Sequence, residues 1–173
     1  CDQVAYYDQS HDIMVWILQY SPDGSGNNAI RFAWSKGASS VAGASFCWIN
    51  FTPQQLGATY GPSGTNYDQP KFARSDNDYY LQIQRYGTVS GSTIIRFPVS
   101  SLTWPSCSGF SYDSYIPNTY SPGMIQRAYG TMYFAGHVNT STLRVYTWPE
   151  GGSVTTNDIS HTAYATNYPN SCP

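Results

Sequence analysis

Charged residues are scarce in this chain of 173 residues: they make up 10% of it, against roughly 25% in an average soluble domain. Eight Lys and Arg residues and ten Asp and Glu residues leave a formal net charge of −2. Nucleic acids and anionic membrane surfaces attract proteins through a concentrated basic face. The composition therefore argues against both of these partners.

Long apolar runs are also missing. The longest covers residues 13–18, well short of the roughly 18–20 residues that a helix needs to cross a bilayer. Aromatic residues make up 16% of the chain and supply surface to bury, which argues against disorder. The sequence therefore predicts a compact, weakly charged protein without a membrane span.

Good helix-forming residues are few. The chain has one glutamate, Glu150, and two lysines, Lys36 and Lys71, but 16 tyrosines. Aromatic and β-branched residues favour strands, and Ser, Asn and Gly favour turns. No long stretch free of Gly and Pro shows the apolar periodicity of a helix. We therefore predict an all-β protein with less than about 10% helix, against ~30–35% in typical globular domains.

A pattern of strand, turn and second strand, with an arginine near the start of the second strand, occurs three times. The copies cover residues 13–34, 79–99 and 131–148, and their arginines are Arg31, Arg96 and Arg144. A stretch rich in Tyr, Pro and Gly follows each copy, and further strands are predicted at 45–51 and 153–160. This organisation predicts a single all-β domain, or a fragment of a larger one, with repeat units at 1–66, 67–124 and 125–173.

These repeats resemble the blades of secreted β-propeller proteins, which often end in a strand of the type Arg-hydrophobic-x-Trp. The resemblance implies a propeller-like array of about three repeats, fewer than the usual four to eight blades. The chain would then be a piece of a longer propeller, or several copies would close the ring. A β-sandwich or jelly roll, which needs about seven alternating strands with frequent turns, is the alternative fold.

Four cysteines lie far apart in the sequence and lack the spacing of a zinc site. They are Cys1, Cys47, Cys107 and Cys172. An even number in a chain of this composition is typical of two disulfides in a secreted protein. Of the three possible connectivities, we expect Cys47–Cys107 with Cys1–Cys172, because the second bond would join the chain ends. Glycosylation motifs at Asn50 and Asn139 fit the same extracellular location.

Motifs for catalysis are weak. Equivalent positions in pseudo-symmetric blades point the same way, so Arg31, Arg96 and Arg144 could converge and bind a carboxylate by bidentate pairing, as in sialidases. The other interpretation is that each arginine pairs within its own repeat. Glycoside hydrolysis needs two facing carboxyl groups, and Glu150 is expected to be a solvated turn residue. The sequence shows no motif for a metal, an activated nucleophile or a phosphate, so we expect no cofactor.

Tyrosines in segments rich in Pro, Gly, Asn and Ser are the strongest remaining feature. Tyr67, Tyr115, Tyr120 and Tyr168 are expected on exposed loops, where an aromatic ring with a hydroxyl suits sugar stacking and protein contacts. We therefore interpret the chain as a secreted, non-catalytic binding or structural protein that acts by carbohydrate recognition, adhesion or extracellular assembly. Its partner would be a glycan, a protein surface or a second copy. The alternative function is a glycan-processing propeller enzyme of the sialidase or glycosidase type, or a fragment of one.

Two intramolecular disulfides would leave no free thiol. Thiol titration of the unfolded, unreduced protein is therefore expected to detect none, and titration after reduction gives the reference value of four cysteines per chain. Two or more thiols per unreduced chain would contradict the assignment to a secreted, disulfide-bonded scaffold.

Overall fold

The protein is described by a computed structural model that covers residues 2–24, 26–56, 65–87 and 90–164. Among these residues strands account for 54% and helices for 7%, which confirms the predictions of an all-β protein and of little helix. The longest helix among these residues is α1 at Ala38–Ala42, with five residues. None of the described helices has the length and apolar character needed to span a membrane.

The described strands form three four-stranded antiparallel sheets, each with its strands side by side in chain order. Sheet 1 contains β1 (Gln3–Asp8), β2 (Ile13–Gln19), β3 (Ile30–Lys36) and β4 (Cys47–Phe51). Sheet 2 contains β5 (Thr65–Arg74), β6 (Asp78–Gly87), β7 (Gly91–Pro98) and β8 (Asp113–Tyr115). Sheet 3 contains β9 (Gly123–Met124), β10 (Thr131–Asn139), β11 (Thr142–Pro149) and β12 (Thr155–Ser160). Short 3₁₀ helices lie at Gln54–Leu56 and Val99–Ser101.

The predicted hairpins correspond to the central strands of the sheets: β2 with β3, β6 with β7, and β10 with β11. Their apolar alternation and intervening turn residues are strong local signals. The sequence prediction does not include β1, β5, β8 and β9, all of which are edge strands. β5 begins at Thr65 and β9 at Gly123. Each of these strands therefore starts two residues before the predicted repeat boundary, at 67 or 125.

Sheet 2 lies between the other two sheets. Its strand β6 is buried along most of its length, and the side chains alternate between two faces. Tyr79 belongs to the core shared with sheet 1, and Tyr80 to the core shared with sheet 3. The rings of Phe32 in sheet 1 and Phe97 in sheet 2 lie 4.5 Å apart, and those of Tyr80 and Trp148 in sheet 3 lie 5.9 Å apart. The sheets therefore stack as three layers with two cores.

One hydrogen bond recurs in all three sheets, at the end of the central hairpin away from its turn, and it allows equivalent residues of the three sheets to be matched. In each sheet an amide just after the hairpin donates to a carbonyl just before it: Gly37 to Asp12 at 3.2 Å, Val99 to Asn77 at 2.8 Å and Glu150 to Gly130 at 2.9 Å. Counted from these bonds, Val15, Tyr80 and Tyr133 are equivalent, and so are Trp16, Leu81 and Phe134. We call the side of a sheet that carries the first set its front face and the side that carries the second set its back face.

Both sheet interfaces join a front face to a back face. Val15 on the front of sheet 1 and Leu81 on the back of sheet 2 share the first core. Tyr80 on the front of sheet 2 and Phe134 on the back of sheet 3 share the second. One packing arrangement therefore occurs twice, and among the described residues no sheet covers the back of sheet 1 or the front of sheet 3.

Asn28 ties sheet 1 to sheet 2 at the end opposite the hairpin bonds. It lies just before β3 and is 6% exposed. Its Nδ2 donates to the carbonyls of Tyr20 at 2.9 Å and Tyr67 at 2.7 Å, and its Oδ1 accepts from the Tyr67 amide at 2.6 Å. Because Tyr67 lies in β5, one asparagine side chain supplies backbone partners in both sheets.

Replacing Asn28 with Ala is expected to lower the free energy of unfolding by about 2–4 kcal/mol, because buried backbone groups lose their partners and each such loss costs about 1–3 kcal/mol. Urea unfolding measures the change. The matched control is Asn157→Ala at an exposed position of β12, which should stay within about 0.5 kcal/mol of the native protein. Equal stabilities for the two variants would contradict the role of Asn28.

Candidate functional site

A cleft of about 640 Å³ opens between sheets 1 and 2, at the end where the hairpin bonds lie. Four segments build it: the β1–β2 turn, the end of β3, the β5–β6 turn and the loop after β7. Its polar lining consists of His11, Lys36, Asn77, Asp78, Ser100 and Thr103. Trp104 adds one aromatic ring. The cleft thus combines an apolar surface with several hydrogen-bonding groups.

The loop after β7 is held against sheet 1 by a disulfide. Cys47 of β4 is bonded to Cys107, with the two Cα atoms 5.3 Å apart. Trp34 Nε1 on β3 donates to the carbonyl of Thr103 at 3.2 Å. These contacts confirm the predicted Cys47–Cys107 bond and position the neighbouring Trp104 at the cleft.

Asp8 organises the wall of the cleft that His11 lines. It ends β1 and is 1% exposed. Its Oδ1 accepts from the Ser10 amide at 3.0 Å and hydroxyl at 2.6 Å, and its Oδ2 accepts from the Tyr79 hydroxyl at 2.7 Å. His11 Nδ1 lies 2.7 Å from Oδ2, and Arg74 Nη1 forms an ion pair with Oδ1. Four side chains from two sheets therefore hold this carboxylate.

The environment of Asp8 determines which nitrogen of His11 carries the proton. Burial alone would raise the pKa of Asp8, but the hydrogen bonds from Ser10, His11, Tyr79 and Arg74 outweigh it and hold the pKa well below its usual value of 3.8. An ionised carboxylate only accepts hydrogen bonds, so Nδ1 of His11 is the donor in this pair. In the neutral imidazole Nε2 is then an acceptor. Asp8 thus fixes the orientation of the His11 ring, and the neutral form of this ring offers Nε2 as an acceptor to a ligand hydroxyl.

Glu150 anchors the wall formed by the β5–β6 turn. Its Oε1 accepts from the Ser75 hydroxyl at 2.6 Å and the Asn77 amide at 2.7 Å, and its Oε2 accepts from Asn77 Nδ2 at 2.8 Å. Burial would raise the pKa of Glu150, but these bonds lower it below its usual value. Glu150 lies in a turn, as expected, but it is partly buried and hydrogen-bonded, because the β5–β6 turn of sheet 2 packs on the turn of sheet 3 that carries it.

Asp78 is the one Asp or Glu among the described residues that line the cleft, although its side chain lies on the front face of sheet 2 with that of Tyr80 and points toward Arg96. It is 6% exposed, and burial raises its pKa above the usual value although the Nε of Arg96 lies 3.7 Å from Oδ2. The nearby charges of Glu150 and Asp113 raise this pKa further. A carboxyl group in this environment accepts hydrogen bonds when ionised and can also donate one when protonated.

Arg96 lies outside the cleft and links sheet 2 to sheet 3. Its Nη1 donates to the carbonyl of Pro149 at 2.7 Å, and its Nη2 donates to Asp113 at 2.5 Å. The guanidinium lies over the ring of Trp148, 4.8 Å from its centroid. A second cleft of about 410 Å³ opens here, and Arg96 and Tyr115 both line it. Two of the predicted binding residues therefore lie close together.

The three arginines do not converge, which agrees with the interpretation that they make separate, local contacts. Arg31 lies on the back face of sheet 1, with its guanidinium 4.1 Å from the ring centroid of Trp48. Arg144 pairs with Asp158 through two bonds of 2.6 and 2.7 Å. Counted from the hairpin bonds, Arg31 is equivalent to Arg144. Arg96 lies three residues nearer to these bonds, which are at the end of the strand away from the turn, and on the opposite face of its sheet. Similar sequence motifs therefore differ in their position on the sheet.

The predicted contact tyrosines have different environments. Tyr67 is fully buried, so its predicted exposure is wrong; the segment around it forms strand β5 because β6 and Asn28 supply its backbone partners. Tyr115 is partly buried. Tyr120 is 59% exposed, as expected. Tyr168 lies outside the described residues.

The two glycosylation motifs also differ in accessibility. Asn50 lies on β4, and its Oδ1 accepts a hydrogen bond from Arg31 at 3.0 Å. Asn139 is exposed at the end of β10. The predicted bond Cys1–Cys172 lies outside the described residues.

The sequence interpretation does not identify His11, Asn77 or Trp104 as cleft residues. The histidines lack metal-ligand spacing, but a histidine that binds a ligand by hydrogen bonds needs no such spacing. The signal that points to Trp104 is its place in a Ser- and Pro-containing loop close to the paired Cys107.

Comparisons of the chain with protein-family models, curated proteins and solved structures find no match.

The low pKa of Asp8 makes stability depend on pH. Because the folded pKa lies below the unfolded value of about 4, the contribution is present above about pH 4 and is lost as the pH falls below it. The difference in unfolding free energy between the native protein and Asp8→Asn should therefore shrink between about pH 4 and pH 2. Urea unfolding at several pH values measures it. A difference that does not change with pH would contradict this role of Asp8.

Proposed function

We propose that the protein is a secreted, non-catalytic carbohydrate-binding protein and that the cleft between sheets 1 and 2 is its binding site. One observation carries the proposal: Trp104 lines the cleft together with His11, Lys36, Asn77 and Asp78. A sugar combines an apolar ring face, which stacks on an aromatic side chain, with hydroxyls that need both donors and acceptors. The lining supplies each of these.

A neutral glycan fits the cleft better than a charged one. Asp78 already faces Arg96, and Lys36 is the one lysine or arginine among the described residues of the lining. The cleft volume of about 640 Å³ lies within the roughly 300–1,000 Å³ of small-molecule sites. Binding would therefore depend on stacking and hydrogen bonds, as the low charge of the whole chain also suggests.

The front-to-back stacking favours a propeller-like array over a β-sandwich. A four-stranded antiparallel sheet with its strands in chain order is also the unit of a propeller blade. Two successive interfaces use the same pair of faces, as neighbouring blades do around an axis. A sandwich has a single interface between two sheets. The likeness of the repeats to secreted propeller blades agrees with this proposal.

An extracellular location is supported by the Cys47–Cys107 disulfide, because such bonds persist in oxidising compartments. The bond has a direct role in the proposed site, since it holds the loop that carries Trp104. Reduction would release this loop from β4. A binding site built on a disulfide suits a protein that acts outside the cell.

A glycan-processing enzyme is the alternative, and the geometry favours it less. Glycosidases use two carboxyl groups on either side of the scissile bond. Asp78 is the one such group in the described lining. Asp8 lies close by, but it is buried and occupied by Arg74 and Tyr79.

Adhesion or assembly through a Tyr-rich loop is the second candidate. Tyr120, in the connection between sheets 2 and 3, is 59% exposed, and Tyr129, just before β10, is 80% exposed. Neither residue lines the cleft. Contacts through these two rings would therefore be independent of carbohydrate binding.

Trp104→Ala and His11→Ala are each expected to weaken carbohydrate binding at least about tenfold, which corresponds to about 1.4 kcal/mol. A glycan array of neutral oligosaccharides identifies the ligands, and calorimetry on the best of them measures the affinities. Tyr129→Ala is the matched control, because it removes an 80% exposed ring outside the cleft. Thermal unfolding of each variant shows that the fold is retained.

Two results would overturn the assignment of the cleft. One is that no neutral oligosaccharide binds the native protein. The other is that Trp104→Ala and His11→Ala bind as tightly as the native protein while Tyr120→Ala loses binding, which would favour the Tyr-rich loop instead.

A further inference from the structure

The back face of sheet 1 carries an exposed aromatic patch. Tyr7, Trp16 and Trp48 are 54%, 37% and 55% exposed. Trp16 and Trp48 flank Ala33 in the strand ladder. None of these residues lines the cleft, so the patch is separate from the proposed carbohydrate site.

The positions equivalent to Trp16 are buried in the other two sheets. Leu81 in sheet 2 is 0% exposed and Phe134 in sheet 3 is 2% exposed, because the front face of the preceding sheet covers each of them. The front of sheet 1 covers Leu81, and the front of sheet 2 covers Phe134. Trp16 occupies the equivalent position in sheet 1. No described sheet covers it here.

The front face of sheet 3 shows the complementary feature. Tyr133 is 45% exposed, whereas the equivalent Val15 and Tyr80 are 0% exposed under the back face of the following sheet. Ile159 on β12, on the same face, is 46% exposed. The two uncovered faces are therefore of the two kinds that pack on each other inside the molecule.

Both faces can be buried without isolating a charge. The front positions of β10, β11 and β12 hold no Lys, Arg, Asp or Glu. The strands of sheet 1 carry one charged residue on the back face, Arg31, which already lies over the rings of Trp48 at 4.1 Å and Tyr20 at 5.0 Å. At the edge of the patch the carboxylate of Asp12 is paired, since it accepts a hydrogen bond from the Tyr7 hydroxyl at 2.8 Å. Since an unpaired buried charge is what most opposes burial, this chemistry favours contact between the two faces.

We propose that two copies of this chain associate head to tail, with the front of sheet 3 of each copy packed on the back of sheet 1 of the other. Contacts between two different faces either close into a ring or continue as a filament. The described residues of each copy supply three sheets, and the roughly four to eight blades of closed propellers include one multiple of three, namely six. Closure therefore requires two copies. The inference rests on the propeller-like stacking of the proposed function, but not on the cleft, which lies within one copy.

Light scattering at micromolar concentrations is expected to give twice the chain mass of 19.2 kDa. The protein should be made without N-glycans, because Asn50 lies on the back face of sheet 1 and a glycan there would block the contact. A mass of one chain would overturn the proposal. A mass that grows steadily with concentration would overturn ring closure.

Single substitutions on the two faces test the contact. Trp16→Asp and Tyr133→Asp should each weaken association at least tenfold and give single chains. Tyr129→Asp is the matched control on an exposed turn and should leave the dimer intact. Circular dichroism and thermal unfolding show that the variants fold. A dimer that survives Tyr133→Asp would mean that the back faces pair with each other, which contradicts the proposal.

Mixing the variants gives the sharpest test. A dimer of one Trp16→Asp copy and one Tyr133→Asp copy keeps one intact interface and gathers both substitutions in the other. Dimers should therefore reappear in the mixture at concentrations where neither variant dimerises alone. No recovery on mixing would overturn the head-to-tail arrangement. Carbohydrate binding by the two variants should be unchanged, so the failure of this proposal and of the cleft assignment can be told apart.

Discussion

The arrangement of the three sheets depends on Arg74. It ends β5 in sheet 2, and its guanidinium pairs with Asp8 of sheet 1 and donates to Ser10 at 2.6 Å. Its backbone bonds to Gln126 at 3.3 Å and Ala128 at 2.9 Å, in the segment that connects β9 to β10 of sheet 3. It is 7% exposed. Removing one partner of a buried ion pair typically costs about 3–5 kcal/mol, because the other charge is left unpaired. One side chain and its own backbone therefore fix the sheets relative to one another at the end that carries the cleft.

The same contact links the fold to the candidate site. Asp8 both receives Arg74 and orients His11, so the carboxylate that joins two sheets also positions an acceptor in the cleft. On the opposite wall Glu150 joins sheet 3 to sheet 2 through Ser75 and Asn77. The cleft residues are thus placed by the bonds that hold the layers together, and a ligand would meet groups that are already ordered.

Several of the few charged residues of this chain are used to join the sheets. Few Asp, Glu, Lys and Arg residues are present, and several lie where sheets meet: Asp8 with Arg74, Glu150 with the β5–β6 turn, and Arg96 with the carbonyl of Pro149. The outer faces of the stack by contrast expose aromatic rings and carry few charged residues, as Trp16 and Tyr133 show. Polar groups specify how the layers are placed, whereas apolar burial supplies most of the driving force.

The sequence by itself determined the β class and the central hairpins, because alternation and turn residues are local or compositional properties. The Cys47–Cys107 bond was expected as part of one of three possible connectivities, and the fold decided it by bringing β4 next to the loop after β7. The sequence did not determine the edge strands, such as β5, whose partners come from β6 and from the side chain of Asn28. Strand periodicity shows that neighbouring side chains point to opposite faces, but not which face another sheet covers. The burial of Tyr67 under sheet 1 and the position of Arg96 on the face opposite to Arg31 and Arg144 could therefore not be predicted. The cleft was likewise decided by tertiary structure alone, since the packing of sheet 1 on sheet 2 brings His11, Asn77 and Trp104 together from segments far apart in the chain.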